Sequence, residues 1–233
     1  MIDDTIAAIA TPLGEGALAV IRLSGADALA IAGRCFRPIG ASSQSPCDAT
    51  THTLHYGNII DAEDRVVDEV LLAVMRTPRT FTREDTVEIT CHGGMVASQA
   101  VLQTVLAAGA RSALPGEFTR RAFLNGRIDL AQAEAVSDVI HARTDLALAA
   151  ANEQLAGKLS QRIGQLRDDL MNVLAHLEAH IDFPDEDIAP DTQAQLIGRL
   201  ESAVDFIDQL LATANEGRIL RRGIRAAIIG RPN

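Results

Sequence analysis

The spacing of apolar and polar residues changes partway along the chain. Up to about residue 115 the apolar positions come in short runs, and some of these runs alternate strictly. Ala17 to Leu23 is a near-continuous apolar run interrupted by Arg22, and it predicts a strand. Ala26 to Phe36 reads as a short helix, followed by a polar loop over 38–50. Thr51 to Ile60 and Asp68 to Arg76 are further strand candidates. Thr86 to Cys91 alternates cleanly: Val87, Ile89 and Cys91 share one face, and Thr86, Glu88 and Thr90 share the other. His92-Gly93-Gly94 then turns into a helix that ends before Gly109. Strands alternating with two helices predict a compact α+β domain.

Beyond Pro115-Gly116 the period lengthens to that of helices. Asp129 with Gln132 three residues on is a capping-box start for a helix running to about Ala142. A long helix is expected from Thr144 to Ile181, with Leu159, Ile163, Leu166, Leu170, Leu174, Leu177 and Ile181 stepping by three and four along one face. Phe183-Pro184 ends it, and another helix is expected over about 191–216. Two or three such helices bury little area by themselves, so this part reads as an incomplete all-α bundle. The predicted organisation is an α+β domain over 1–117, the first part of a helical domain over 118–222, and a short strand with the beginning of a loop over 223–233.

Composition narrows the class. Apolar residues make up 47%, enough for a core, while aromatics are only 3%, so that core is aliphatic. The net charge of −10 opposes indiscriminate binding to nucleic acid. Three widely spaced cysteines, Cys35, Cys47 and Cys91, form no C-x-x-C and indicate a reduced, cytoplasmic protein. The start of the chain is acidic where a signal peptide would be basic, and no apolar run is long enough to cross a membrane.

Candidate chemistry is sparse, and each candidate has an ordinary alternative. Arg22 lies within an apolar strand, where a guanidinium must pair, bind an anion or snorkel to solvent. Glu88 points away from the apolar face of its strand, toward solvent or a partner. Arg127 follows the turn signal Asn125-Gly126 at the junction of the two halves, either as part of a plain interhelical turn or as an anion contact. His92-Gly93-Gly94 is a helix-entry turn or an anion-binding one. His52, His55, Cys91 and His92 fit no metal-ligand spacing. Arg218, Arg221, Arg222 and Arg225 are either a solvated linker or a contact for RNA phosphates, and the acidic group Asp182, Asp185, Glu186 and Asp187 reads as a solvated loop rather than a magnesium site. The closing residues, an apolar run followed by Gly230-Arg231-Pro232-Asn233, are either a turn or the first half of a phosphate-binding loop.

At five blocks, in order, the chain resembles the MnmE (TrmE) family of bacterial tRNA-modifying GTPases. These blocks are DTIAAIATPLGEGALAVIRLSG at 4–25, FTREDTVEITCHGG at 81–94, PGEFTRRAFLNGRIDLAQAEAV at 115–136, IDFPDED at 181–187 and GRPN at 230–233. The resemblance implies an N-terminal domain similar to the folate-binding domain of aminomethyltransferases. That domain would homodimerise and bind 5-formyltetrahydrofolate through the positions matching the family's contacts, Arg22, Glu88 and Arg127. Many relatives carry Lys where Arg127 stands, which keeps the charge and changes the geometry. Asn233 matches the P-loop asparagine that contacts nucleotide and K⁺ in the family. GTP, Mg²⁺ and K⁺ would belong to the full-length protein, and no catalytic or metal-binding residue is expected in this stretch.

With a FAD-dependent MnmG-like partner, the whole protein would add an aminomethyl-type group at C5 of the wobble uridine of certain tRNAs. Two other readings remain open from sequence: a free-standing folate enzyme of the aminomethyltransferase type, and a dimerising scaffold with a vestigial pocket. The helical half and the terminal GRPN count against the first.

Overall fold

A computed structural model describes residues 4–40, 45–182 and 193–222, together with 227, 229 and 230. The chain forms two compact units, Met1–Ile128 and Asp129–Asn233. The first is α+β, as the alternating periods require, and the second is helical.

The first unit is a seven-stranded sheet in the order β3-β4-β5-β6-β2-β1-β7. Its strands are β1 (Ile6–Ile9), β2 (Leu18–Ser24), β3 (Phe36–Pro38), β4 (Thr53–Ile60), β5 (Val66–Met75), β6 (Thr86–His92) and β7 (Arg111–Ser112). All pairings are antiparallel except β1 with β7, so the sheet is mixed. Successive side chains in a strand point to opposite faces, and here the two faces differ sharply. Ile21, Leu23, Val70, Leu72, Val74, Val87, Ile89 and Cys91 form the covered face, packed under α1 (Ala28–Cys35) and α2 (Met95–Ala107). The helices contribute Leu29, Ile31, Ala32, Val101 and Val105 to that core. The opposite face carries Leu18, Leu54, Tyr56 and Leu71, all exposed, with Arg22 and Glu88 among them. A third helix, α3 (Glu117–Leu124), begins at the left-handed Gly116.

Helices α4 (Leu130–His141), α5 (Asp145–Leu155), α6 (Lys158–Asp182) and α7 (Gln193–Arg222) make up the second unit. The capping box at Asp129 forms as expected: its carboxylate accepts from Gln132 N–H, and the Gln132 side chain accepts from Asp129 N–H. The long helix expected from Thr144 is instead two helices. Thr144 caps α5, and the chain then turns at Gly157, whose φ of 80° is left-handed and costs glycine little. Alanines and glutamines hold α4 to α5. Ala135, Ala147 and Ala151 are buried, and Gln132 and Gln154 donate reciprocally to the carbonyls of Leu155 and Ala131. In α6 only Val173 is buried. The Leu159, Ile163, Leu170, Leu174, Leu177 and Ile181 positions of the expected stripe remain exposed.

The division between units falls after Ile128, whereas the sequence reading placed it after residue 117. Glu117 and Arg121 account for the difference. Both side chains are buried in the first unit, and they draw α3 into it. The segment expected to hold the start of a GTPase domain, including Asn233, lies almost wholly outside the described residues, as do Asp185, Glu186, Asp187 and Arg225.

Candidate functional site

Strands β2 and β6 pair so that Arg22 stands directly opposite Glu88. Oppositely charged cross-strand neighbours on one face are within reach of each other, and here they close. Arg22 Nε donates to Glu88 Oε1 at 2.7 Å, and Nη2 lies 2.6 Å from the same oxygen. Among the described residues Glu88 Oε2 accepts no hydrogen bond. The pair is about two-thirds buried, with 31% and 28% of the two side chains exposed. Phe118, from α3, lies against the Arg22 guanidinium at 5.9 Å from ring centroid to carbon.

The register explains why the pair is accessible. Ala73 on β5 stands beside Glu88, and Ala8 on β1 stands beside Arg22. Two small alanines flank the two charges in that row of the face. In the next row of that face Tyr56, Leu71, Thr90 and Val20 stand side by side. This is a mostly apolar floor two residues along from a carboxylate with a spare oxygen. Such an arrangement suits a flat heterocycle with N–H donors on one edge.

Arg127 is held at the far end of α3. Gly126, with φ of 68°, carries the chain out of the helix, and Arg127 N–H donates to Ala122 O at 2.9 Å. Its exposed guanidinium lies over Phe81, 5.8 Å from the ring centroid, and has no carboxylate partner among the described residues. Helix α3 thus presents Phe118 to Arg22 and carries Arg127 beyond its other end. Its eight residues span about 12 Å at 1.5 Å per residue, and Arg22 and Arg127 meet it at opposite ends.

Sequence reasoning missed the group that fixes α3. Arg121 is fully buried. It donates to Asp4 O at 2.8 Å and Asp4 Oδ1 at 2.6 Å, and reaches Glu84 and Glu117 at 3.3 Å. Arg111 clamps Glu117 and Asp4 from outside, at 2.6 Å in each case. These guanidinium contacts, led by Arg111, hold the Glu117 carboxyl down at about 2. Glu84 accepts further from Ser24 Oγ, and Asn125 Nδ2 donates to Thr82 O. The local signal was present in the amphipathic EFTRRAFL, where Arg121 falls one turn after Glu117. Its partners, Asp4 and Glu84, are distant in sequence and could not be read from it.

The remaining candidates are ordinary. His92-Gly93-Gly94 is a helix-entry turn: Gly94 precedes α2, and Gly93 packs on Gly16, whose carbonyl oxygen would lie 2.5 Å from an added Cβ. Asp68 binds His92 twice, at the backbone N–H and at Nδ1, and raises the imidazole pKa. Cys35 and Cys91 are buried, and desolvation pushes both thiols up to about 11, so neither is a poised nucleophile. Among the described residues no three His, Cys, Asp or Glu side chains are grouped to hold a metal ion. A cleft of about 730 Å³ runs between α6 and α7, and one of about 420 Å³ beside α1 and α2, neither lined by Arg22, Glu88 or Arg127. No helix among the described residues is long and apolar enough to cross a membrane.

The two structural units correspond to two known sequence families. Residues 5–127 match the family described as GTP-binding protein TrmE N-terminus, and residues 130–226 match the MnmE helical domain. The chain belongs to the MnmE family. It is 54% identical over 233 residues to the tRNA modification GTPase MnmE of Geobacillus thermodenitrificans. Its identity is 55% over 232 residues to that of Geobacillus kaustophilus and 53% over 232 residues to that of Enterococcus faecalis. Each alignment takes in 99% of this chain and about half of the relative, 50%, 50% and 49% respectively. The chain therefore spans about half the length of the MnmE relatives it matches.

Proposed function

We propose that this chain is the folate-binding and dimerising part of a tRNA modification GTPase. The whole protein acts in the cytoplasm. With a FAD-dependent MnmG-like partner, it adds an aminomethyl-type group at C5 of the wobble uridine of certain tRNAs, with a reduced folate as one-carbon source. GTP, Mg²⁺ and K⁺ serve the GTPase domain, for which Asn233 supplies part of the phosphate-binding loop. The residues described here have no GTP turnover of their own under this reading.

The observation that carries the folate assignment is the partly exposed Glu88–Arg22 pair on the sheet face opposite α1 and α2, with Glu88 Oε2 unengaged among the described residues. The chemistry of the donor set fits the ligand. A pterin offers N–H donors on one edge, which a carboxylate accepts, and a flat ring for the Tyr56–Leu71–Val20 floor. The glutamate tail offers carboxylates, and Arg127, beyond the end of α3, has no carboxylate partner among the described residues. A second copy covers the exposed Leu18, Leu54, Tyr56 and Leu71 and shields the folate from water.

Titration calorimetry with 5-formyltetrahydrofolate tests this. Binding near one folate per protomer is expected, and Glu88→Ala or Arg22→Ala is expected to weaken it by about 1.5–3 kcal/mol for each charged hydrogen bond lost. A folded dimer that binds no folate would leave a scaffold with a vestigial pocket.

A further inference from the structure

The loop that packs against the Asn125–Arg127 corner carries two arginines, Arg79 and Arg83, that the site described above does not use. Four carboxylates occur between Arg76 and Arg127, namely Glu84, Asp85, Glu88 and Glu117. Each is engaged within the first unit. Glu84 accepts from Ser24 and Arg121, Asp85 from Thr77 N–H, Glu88 from Arg22, and Glu117 from Arg111, Arg121 and Leu114 N–H. Arg79, Arg83 and Arg127 are exposed, and none has a carboxylate partner among the described residues. In a protein of net charge −10 this local excess of cations stands out from the average surface.

Arg83 is tied to the same corner as Arg127. Its Nη1 donates to Asn125 O at 3.0 Å and lies 3.6 Å from where a Cβ on Gly126 would stand, while Arg127 reaches back over Phe81, two residues before Arg83. Its loop is built rather than loose. Thr77 Oγ1 donates to Arg83 O, Thr80 Oγ1 donates to Glu84 O, and Asn125 Nδ2 holds Thr82 O. Arg83 itself has φ of 56°, a left-handed conformation that costs a side-chain-bearing residue energy and is kept where the surroundings enforce it. One of five guanidinium N–H donors is used on Asn125, which leaves the fork available to an anion.

We propose that this site takes reduced folates whose tail is extended by further γ-linked glutamates, with Arg83, and Arg79 on the same loop, receiving carboxylates beyond the one at Arg127. The inference rests on the folate reading above and adds the form of folate preferred. A chain of regularly spaced carboxylates suits several guanidiniums without carboxylate partners on one loop and the corner it packs against. The overall negative charge favours this small polyanion over a long nucleic-acid backbone.

The test is titration of the chain with 5-formyltetrahydrofolate carrying one glutamate and with the same compound carrying four. The expected result is a roughly five- to tenfold tighter binding of the longer form at low salt, shrinking as salt rises. Arg83→Gln and Arg79→Gln are each expected to reduce that preference. The exposed Arg79 side chain makes no hydrogen bond or ion pair among the described residues, so its substitution remains informative if Arg83→Gln disturbs the loop. Equal affinity for both forms in the unsubstituted chain overturns the proposal and leaves the folate reading intact. If neither form binds, the folate reading itself is defeated. A length preference unchanged by Arg79→Gln also overturns the proposal, as does weakened binding of a transfer RNA by these variants with the preference intact, which would assign the patch to nucleic acid.

Discussion

At the scale of single residues, the candidate site depends on a charge that never touches it. Arg121 is fully buried among Asp4, Glu84 and Glu117, and through them it anchors the helix that carries Phe118 and Arg127. Removing one partner from a buried ionic group leaves the others uncompensated, which costs more than the pair itself contributes. Arg121→Met is therefore expected to destabilise the first unit by about 3–5 kcal/mol in denaturant unfolding. Replacing the exposed Arg127 by Met should change stability by no more than about 0.5 kcal/mol. Acid tests the same network. Glu117 has its folded pKa lowered to about 2, so its contribution is fully present above its unfolded value near 4.5 and fades as pH falls from there toward 2. Asp4 shifts in the same direction, chiefly through Arg111. The thermal midpoint should drop across that window, and a Glu117→Gln variant should start lower and lose less. An equal loss in both would remove Glu117 from the account of acid stability.

At the scale of elements, alternation and helical spacing carried most of the information. Thr86 to Cys91 could be read as a strand with its buried and open faces because the period of two was unbroken there, and Asp129 with Gln132 gave the start of α4. Where local pattern was weak, tertiary structure decided. Strands β1, β3 and β7 are two to four residues long, too short for a period to show, and they exist because the sheet offers them partners. The opposition of Arg22 and Glu88 depends on strand register, which pairwise spacing in sequence does not contain. The break between α5 and α6 was missed because a helix whose apolar stripe begins at Leu159 was extended back to Thr144, across the single Gly157 at which the chain turns. That position allows a direct check. Gly157→Ala should cost about 1 kcal/mol through its left-handed φ, and an added Cβ would stand 3.3 Å from Gln132 Nε2. If the variant were instead more stable, α5 and α6 would be free to merge into the single helix the spacing suggests.

For the molecule as a whole, the question is what covers the open face of the sheet. A sheet with helices on one side commonly leaves its other side to solvent, and then that side is polar. Here Leu18, Leu54, Tyr56 and Leu71 are 63%, 69%, 46% and 46% exposed, and they lie on the same face as Glu88 and Arg22. A surface that is apolar around a charged pair is poorly suited to water and well suited to a second protein surface with a ligand between them. Under the proposed function the dimer and the folate site are one structure, so their stabilities are linked by mass action. Leu71→Arg, on the open face and outside the ion pair, is expected to shift the mass in solution from dimer to monomer. Its circular dichroism should stay unchanged, because the covered face of β5 is formed by Val70, Leu72 and Val74. The same variant should weaken 5-formyltetrahydrofolate binding, and saturating folate should restore part of the dimer. Loss of the dimer with folate affinity untouched would separate the two, and a dimer that survives Leu71→Arg would place the contact between copies on another surface.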